Sequence, residues 1–335
     1  MNQPSTMMQI HDAQEPLIYF GKLPSRGDFV RSNRDGNLTQ TLDRWISNSL
    51  EQLAVAPDWK QHFDALPAIE FIIAGSRSST ILTGRMVASR DSSGRRYPFL
   101  IARSVRSDMP LEVLPSLPLC LLPAWVAMEQ LIQSAQNATD IEEALERIDL
   151  AQLQIETDLA GIDERRNEYL QATTIGQVQQ MLNAAGNTTN LRQSIIALGL
   201  LLLPLLTSGP GGATKGLALP LPGPASASAQ IASFWLSLVA PFLARADHEI
   251  SLLRTSLAGR PTLLLNLNGV SASSLESVFN PAQAFESNID LCEADWTEDY
   301  IAGEYPINKL SSYLDHPDLS LARALTTFQE VFLGA

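Results

Sequence analysis

The feature that most constrains the fold is a switch of hydrophobic period that occurs twice along the chain. Short β-branched and aromatic runs at 16–20, 68–74, 80–88 and 97–102, the first two closed by Gly21 and Gly75, read as strands. From Pro123 onward the apolar residues recur three and four apart, with Trp125, Met128, Leu131, Ile132 and Ala135 on one face, and helical stretches follow at 162–172, 174–185 and 189–203. Strands return at 250–254 and 262–267, joined through Gly259 as a hairpin with a fairly long loop. Isolated strand pairs are marginal in water, so both sets of strands need a common core. The expected class is α/β: a mixed, layered sheet flanked by helices, with an inserted all-helical segment.

Several local signals refine that expectation. Residues 38–53 place Leu38, Leu42, Trp45, Ile46, Leu50 and Leu53 on one helical face. Pro123 is expected in a first helical turn, where its missing N–H is tolerated. Thr139-Asp140-Ile141-Glu142 has the form of a capping box. Residues 195–206 are the most apolar run, but twelve residues fall short of the roughly 20 that span a bilayer, which predicts a buried helix. Leu275 to Phe279 starts another helix, and residues 318–333 form a last one.

With 335 residues, 45% hydrophobic and 18% charged, the chain has ample length for a core, as two domains or one large one. The expected division is a disordered leader at 1–16, an α/β core at 17–106 and 218–285, and a helical insertion at 107–206. A Gly/Pro/Ala/Ser-rich linker at 207–230 and a C-terminal extension at 286–335 with a terminal helix complete it. Cys120 and Cys292 are far apart and lack a CxxC partner, so no disulfide framework or zinc knuckle is supported and a cytoplasmic setting is expected.

The net charge of −13 argues against general nucleic-acid binding. The charge is uneven, however: residues 17–106 carry thirteen basic and eight acidic side chains, and the remainder is strongly acidic. Such asymmetry can orient an encounter with a charged partner. The enzyme signatures GxSxG, HExxH, GxGxxG, CxxC and DxDxDG are absent from the sequence. Gly21-Lys22 is not a phosphate loop, because Pro16 and Leu23 stand where that loop needs glycine and a magnesium-binding hydroxyl. His11, His62, His248 and His316 are scattered, so no metal site and no cofactor are expected.

Two motifs remain. In residues 19–29, Gly21 and Gly27 are expected to permit positive φ, Pro24 to fix a turn, and Arg26 and Asp28 to pair or cap. In residues 88–99, Asp91 is expected to cap a turn, Gly94 to take the left-handed position, and Arg95 to emerge beside the sheet ahead of Pro98. An alternative is a small-anion sensor or cryptic hydrolase in which Lys22, Arg26 and Arg95 gather an anion near Asp28 and Asp91.

FGKLPSRGDF, a Trp-bearing amphipathic helix, and then SRDSSGRRYPF make the chain similar to the TagF (ImpM) family of bacterial type VI secretion. Gly21, Lys22, Leu23, Pro24, Gly27, Asp28 and Phe29 match the first family motif, and Ser89, Asp91, Gly94, Arg95 and Pro98 the second. Ala88 and Tyr97 depart from it. A looser likeness is Ser233-Phe234-Trp235 to the family's Ser-x-Trp-Trp element, with Leu236 in place of the second tryptophan. The resemblance covers 17–104 and, more loosely, 231–281, and is silent on the helical stretch. It implies a cytoplasmic, non-enzymatic, post-translational repressor of type VI secretion in a Gram-negative bacterium. The implied partner is the forkhead-associated-domain scaffold protein, with a functional link to a PP2C-type phosphatase and a threonine kinase. No phosphatase motif is present here.

Overall fold

A computed structural model describes residues 9–11, 15–208, 215–244, 247–280 and 283–334. The N-terminal third runs β1 (Ile10–His11), β2 (Ile18–Gly21), β3 (Val30–Arg31), α1 (Gly36–Leu53), α2 (Trp59–Asp64), β4 (Ile69–Gly75), β5 (Thr80–Val87) and β6 (Phe99–Ser107). Five helices follow: α3 (Leu117–Gln136), α4 (Ile141–Leu150), α5 (Leu159–Ala172), α6 (Ile175–Ala184) and α7 (Leu191–Ser208). The chain then returns through β7 (Gly216–Pro220), α8 (Ala225–Leu243), β8 (Glu249–Leu257), β9 (Arg260–Asn266), α9 (Ala272–Phe279) and β10 (Asn288–Asp290). It ends in α10 (Thr297–Gly303), α11 (Tyr305–Leu314) and α12 (Leu321–Leu333).

All the strands join one mixed sheet in the order β10-β7-β9-β8-β4-β5-β6-β2-β3, with β1 beside the end of β6. The pairings are antiparallel except that of β10 with β7. The decisive seam is β4 on β8, where Glu70 faces Arg254 and Phe71 faces Leu253. Strands from the two ends of the helical stretch thus share one ladder.

Alternation along the strands sorts the core into two layers. On one face Phe20, Phe71, Leu100, Leu253 and Leu264 meet Leu42, Trp45 and Ile46 of α1 and Leu275 and Phe279 of α9. On the other face Tyr19, Ile72, Ile101, Leu252 and Leu265 meet the thick helical layer around α3 and α8. A buried charge cluster sits within that second interface: Glu70 is gripped by Arg85 and Arg254, Arg85 also reaches Glu129 of α3 at 3.0 Å, and Arg254 stacks over Trp125 at 5.1 Å.

Several expectations need correction. Residues 207–230 are not a linker: 216–220 form β7 between β9 and β10, and α8 begins at Ala225. β7 is buried along its whole length, its single proline ends it, and residues 209–214 lie outside the described ones. The hairpin loop is a two-residue turn, Ala258-Gly259, with both φ angles positive and Leu257 paired to Arg260. Within the expected leader at 1–16, Ile10–His11 pair with Ser107 and Arg106, while 1–8 and 12–14 lie outside the described residues. Pro123 is interior to α3, and Pro118 takes the first turn. Asp140, not Thr139, caps α4 by accepting from Glu142 and Glu143, while the capping box belongs to Thr174 and Gln177 of α6. Within the helical insertion 107–206, α3 packs directly across β5 and β6.

α7 buries Ile195, Ile196, Leu198 and Leu202, as its apolar run predicts. α8 is long and apolar enough to cross a bilayer, and 72% of that window is buried inside the fold.

Candidate functional site

The two motif loops lie against each other at the β2–β6 end of the sheet. Gly21 pairs with Phe99 at φ 135°, so close that a Cβ would stand 2.0 Å from the Pro98 carbonyl oxygen. That approach brings Lys22 over the second loop. Gly94, at φ 81°, closes the turn whose amide donates to the Asp91 carbonyl oxygen at 2.9 Å.

Asp91 is the hub. Its side chain is fully buried, and Oδ1 accepts from the Ser93 amide at 3.0 Å, the Ser93 hydroxyl at 2.7 Å and the Arg95 amide at 2.9 Å. Oδ2 takes Arg95 Nε at 2.7 Å and Lys22 Nζ at 3.0 Å. Burial alone raises a carboxyl's pKa, but the donors from Ser93, Lys22 and Arg95 outweigh it and hold Asp91 well below the usual carboxylate range. Arg95 Nη2 also donates to the Gly27 carbonyl, and the Ser92 amide donates to the Arg26 carbonyl at 2.7 Å. The loops are thereby one clamped unit.

Around the clamp, Phe29 stacks on Phe20 at 5.4 Å, meets Tyr97 edge-on at 4.8 Å and carries Lys22 at 5.0 Å from its ring, yet remains 43% exposed. The Tyr97 hydroxyl donates to Asp43 Oδ1 at 2.6 Å, and burial together with that carboxylate pushes its pKa upward. Pro24, Arg26, Gly27 and Asp28 face solvent.

The sequence-derived residues therefore divide. Gly21, Lys22, Gly27, Asp91, Gly94, Arg95 and Pro98 meet in the clamp, and Pro24, Arg26 and Asp28 lie on its outer edge. Trp235 is elsewhere, fully buried in α8 with Nε1 donating to the Pro220 carbonyl at 2.9 Å, where it anchors β7 and offers no surface. Gly27 does not have a positive φ, because the loop turns at 23–26 through the Arg26 amide and Leu23 carbonyl instead. Arg26 and Asp28 do not pair: Arg26 reaches Glu142 of α4 at 2.6 Å, and Asp28 accepts from the next amide at 3.0 Å. Lys22 is only 6% exposed, so its replacement would test folding rather than docking.

The anion-gathering alternative loses its geometry here. Lys22 and Arg95 both bind Asp91, and Arg26 pairs with Glu142, so the three cations do not converge on one open space. Burial pushes both thiols, Cys120 and Cys292, up to about 12, far from a nucleophile's range. Among the described residues no group of three or more His, Cys, Asp or Glu side chains is arranged to hold a metal ion.

Two neighbours in the second motif, Ser89 and Arg90, were given no role by sequence reasoning. Ser89 is 8% exposed, and its hydroxyl has no hydrogen-bond partner among the described residues; Arg90 is exposed and has no ion pair among them. Both were hidden because only packing distinguishes an idle cation from a paired one. A cavity of about 720 Å³ lies apart from the clamp, between Arg34, Arg103, Asp149 and the extended 151–156 segment.

Residues 18–151 match the family model "TagF N-terminal domain, Type VI secretion system-associated". This segment is similar to TagF. The match bears out the resemblance carried by the two loops and runs on through α3 and α4. The matched span ends at residue 151, beyond α4. Among solved structures, the crystal structure of PA0076 from Pseudomonas aeruginosa PAO1 aligns at 15% identity and TM-score 0.43, over 79% of this chain and 94% of that one. No curated protein matches.

Proposed function

We propose that this TagF-related chain is a non-enzymatic, post-translational repressor of type VI secretion that binds and sequesters a component of the machinery, the forkhead-associated-domain scaffold protein being the first candidate. The family match supports the link to type VI secretion. The observation that carries the rest is the Asp91 clamp. A catalytic carboxylate needs an unspent lone pair and a neighbouring space for substrate, whereas both Asp91 oxygens are saturated and buried. What the clamp does provide is a rigid exposed edge, from Pro24 to Phe29, on a fixed sheet. Rigid loops on a scaffold suit recognition.

The test is secretion in a strain lacking the natural copy, complemented by the parent chain or by the Arg26→Glu, Phe29→Asp double variant. It is paired with capture of the scaffold protein and a thermal melt. Repression and capture should both be lost. Because Phe29 packs on Phe20 and Tyr97 and Arg26 pairs with Glu142, the control is the exposed Asp28→Lys single variant, whose carboxylate accepts from the next amide; it should lose both with the melt unchanged. Repression without capture of the scaffold would move the target elsewhere. Hydrolase or phosphatase activity of the purified protein, abolished by Asp91→Asn at unchanged melt, would overturn the non-enzymatic reading.

A further inference from the structure

We propose that the cavity alongside residues 151–156 is a docking site for an extended, uncharged segment of a partner protein, which adds as a strand to the open backbone edge of that run. The site lies beside Leu17, at the start of β2, away from the Pro24–Phe29 edge, and goes beyond the sequestration reading.

The backbone of the wall carries the argument furthest. Residues 151–156 link α4 to α5 and bury alternate side chains, Leu153 and Ile155, while Gln152 and Gln154 are exposed, which is the period of a strand. They belong to no strand pair, and none of the four amides from Gln152 to Ile155 has a hydrogen-bond partner among the described residues. In an extended chain the N–H and C=O of one residue share an edge, and those of the next point the opposite way. The Glu156 amide donates to the Cys120 carbonyl at 3.1 Å, on the α3 side, whereas the Leu153 carbonyl accepts from Arg103 Nη1 at 3.0 Å, on the side of the cavity. The amides of Leu153 and Ile155 therefore face the cavity. Such an open edge is a template for another chain.

The space and its rim fit the same occupant. The cavity holds about 720 Å³, within the range of binding sites, and at roughly 3.3 Å per residue its extended wall is about 20 Å long. Its mouth is apolar: Leu150 is 72% exposed, Pro16 and Pro123 are exposed, and Val126, one turn along α3 from Pro123, is 46% exposed. Apolar side chains gathered in water beside a cavity mark a surface that a partner covers.

Charge complementarity decides against a charged occupant. Each carboxylate lining the cavity already has a guanidinium: Glu15 has Arg106 at 3.8 Å, Asp149 has Arg34 at 3.9 Å, and Glu156 has Arg165 at 2.5 Å. A further charge pushed into this balanced ring would lose water and gain no counter-ion. Peptide N–H and C=O groups bearing apolar side chains meet no such penalty. They also match the open edge, which a phosphate or a nucleotide does not.

The probe is a labelled octapeptide of alternating valine and serine, capped at both ends and titrated by fluorescence anisotropy against the full chain. The parent should bind, and hydrogen exchange across 151–156 should slow about tenfold or more in the complex. The same peptide methylated on its backbone nitrogens keeps its side chains and loses its donors, so it should bind at least about tenfold more weakly. Leu150→Asp should weaken binding about tenfold or more with the melting temperature unchanged, because that side chain is exposed. Val55→Asp, the like change at an 84% exposed position just past α1, should leave affinity unchanged. The proposal is overturned if the parent does not bind, if the methylated peptide binds as tightly, or if exchange across 151–156 is unaltered in the complex. It also falls if Leu150→Asp binds like the parent, or if octalysine or octaglutamate binds more tightly than the uncharged peptide. Dimerisation of the chain that Leu150→Asp abolishes would make a second copy the occupant and would overturn it too.

Discussion

At the scale of the residue, Gly21 and Gly27 differ although both belong to one motif. A methyl on Gly21 collides with the Pro98 carbonyl at a φ of 135°, whereas on Gly27 it would meet only Ser92 Oγ at 3.5 Å. Gly21→Ala should therefore destabilise by about 3 kcal/mol or more and Gly27→Ala by less than about 0.5 kcal/mol, read by denaturant unfolding. Equal effects would mean that the loop is not closed on Pro98. His248 supplies a pH dependence. It is 1% exposed, and neither ring nitrogen has a hydrogen-bond partner among the described residues; burial lowers its pKa, against the smaller opposing pull of Asp247. The unfolded chain then takes up the proton first, so stability is full above the ordinary value of 6.5 and falls as the pH drops below it. The melting temperature should fall between about pH 7 and about pH 5, and His248→Leu should flatten that slope. A slope of unchanged size in the variant would assign the effect to other groups.

At the scale of the element, the β8–β9 hairpin turns on Ala258 at φ 49° and Gly259 at φ 80°. Alanine is strained in that region, and asparagine is not. Ala258→Asn should raise stability by about 0.5–1 kcal/mol, measured by chemical denaturation, and a loss would show that the turn relaxes in solution. The same hairpin shows what was legible. Its two strands were readable because Ile250-Ser251-Leu252-Leu253 and Thr262-Leu263-Leu264-Leu265 are short apolar runs on either side of Gly259, while its turn was misjudged because nothing local marks Ala258 as left-handed. The edge of β7 was illegible for the opposite reason: its Gly-Leu-Ala-Leu-Pro reads as a loop until β9 and β10 flank it, a contact made only in three dimensions. In the site, Asp91 as a turn cap and Gly94 as its left-handed residue were readable from spacing. The pairing of Lys22 with Asp91, and the idleness of Arg90, depend on how two distant loops meet.

At the scale of the whole molecule, the larger apolar core runs from Ile10 to Phe332, and the residues matched by the TagF region contribute only part of it. Cutting at 151 would strip β8 from β4 and remove α8 from beneath α3. Residues 18–151 expressed alone should show no cooperative melt and poorly dispersed amide resonances, whereas the full chain should unfold in a single transition. A sharp melt of the fragment would show that the TagF region is self-sufficient. The β4–β8 seam has a further consequence, for synthesis on the ribosome. Glu70 and Arg254 are 184 residues apart, so at about 5–20 residues per second β4 waits roughly 10–40 s before its partner strand is made. During that interval its bare edge, Ile-Glu-Phe-Ile-Ile-Ala-Gly, is a template for another nascent chain, and Glu70 is the charge that guards it until Arg254 arrives.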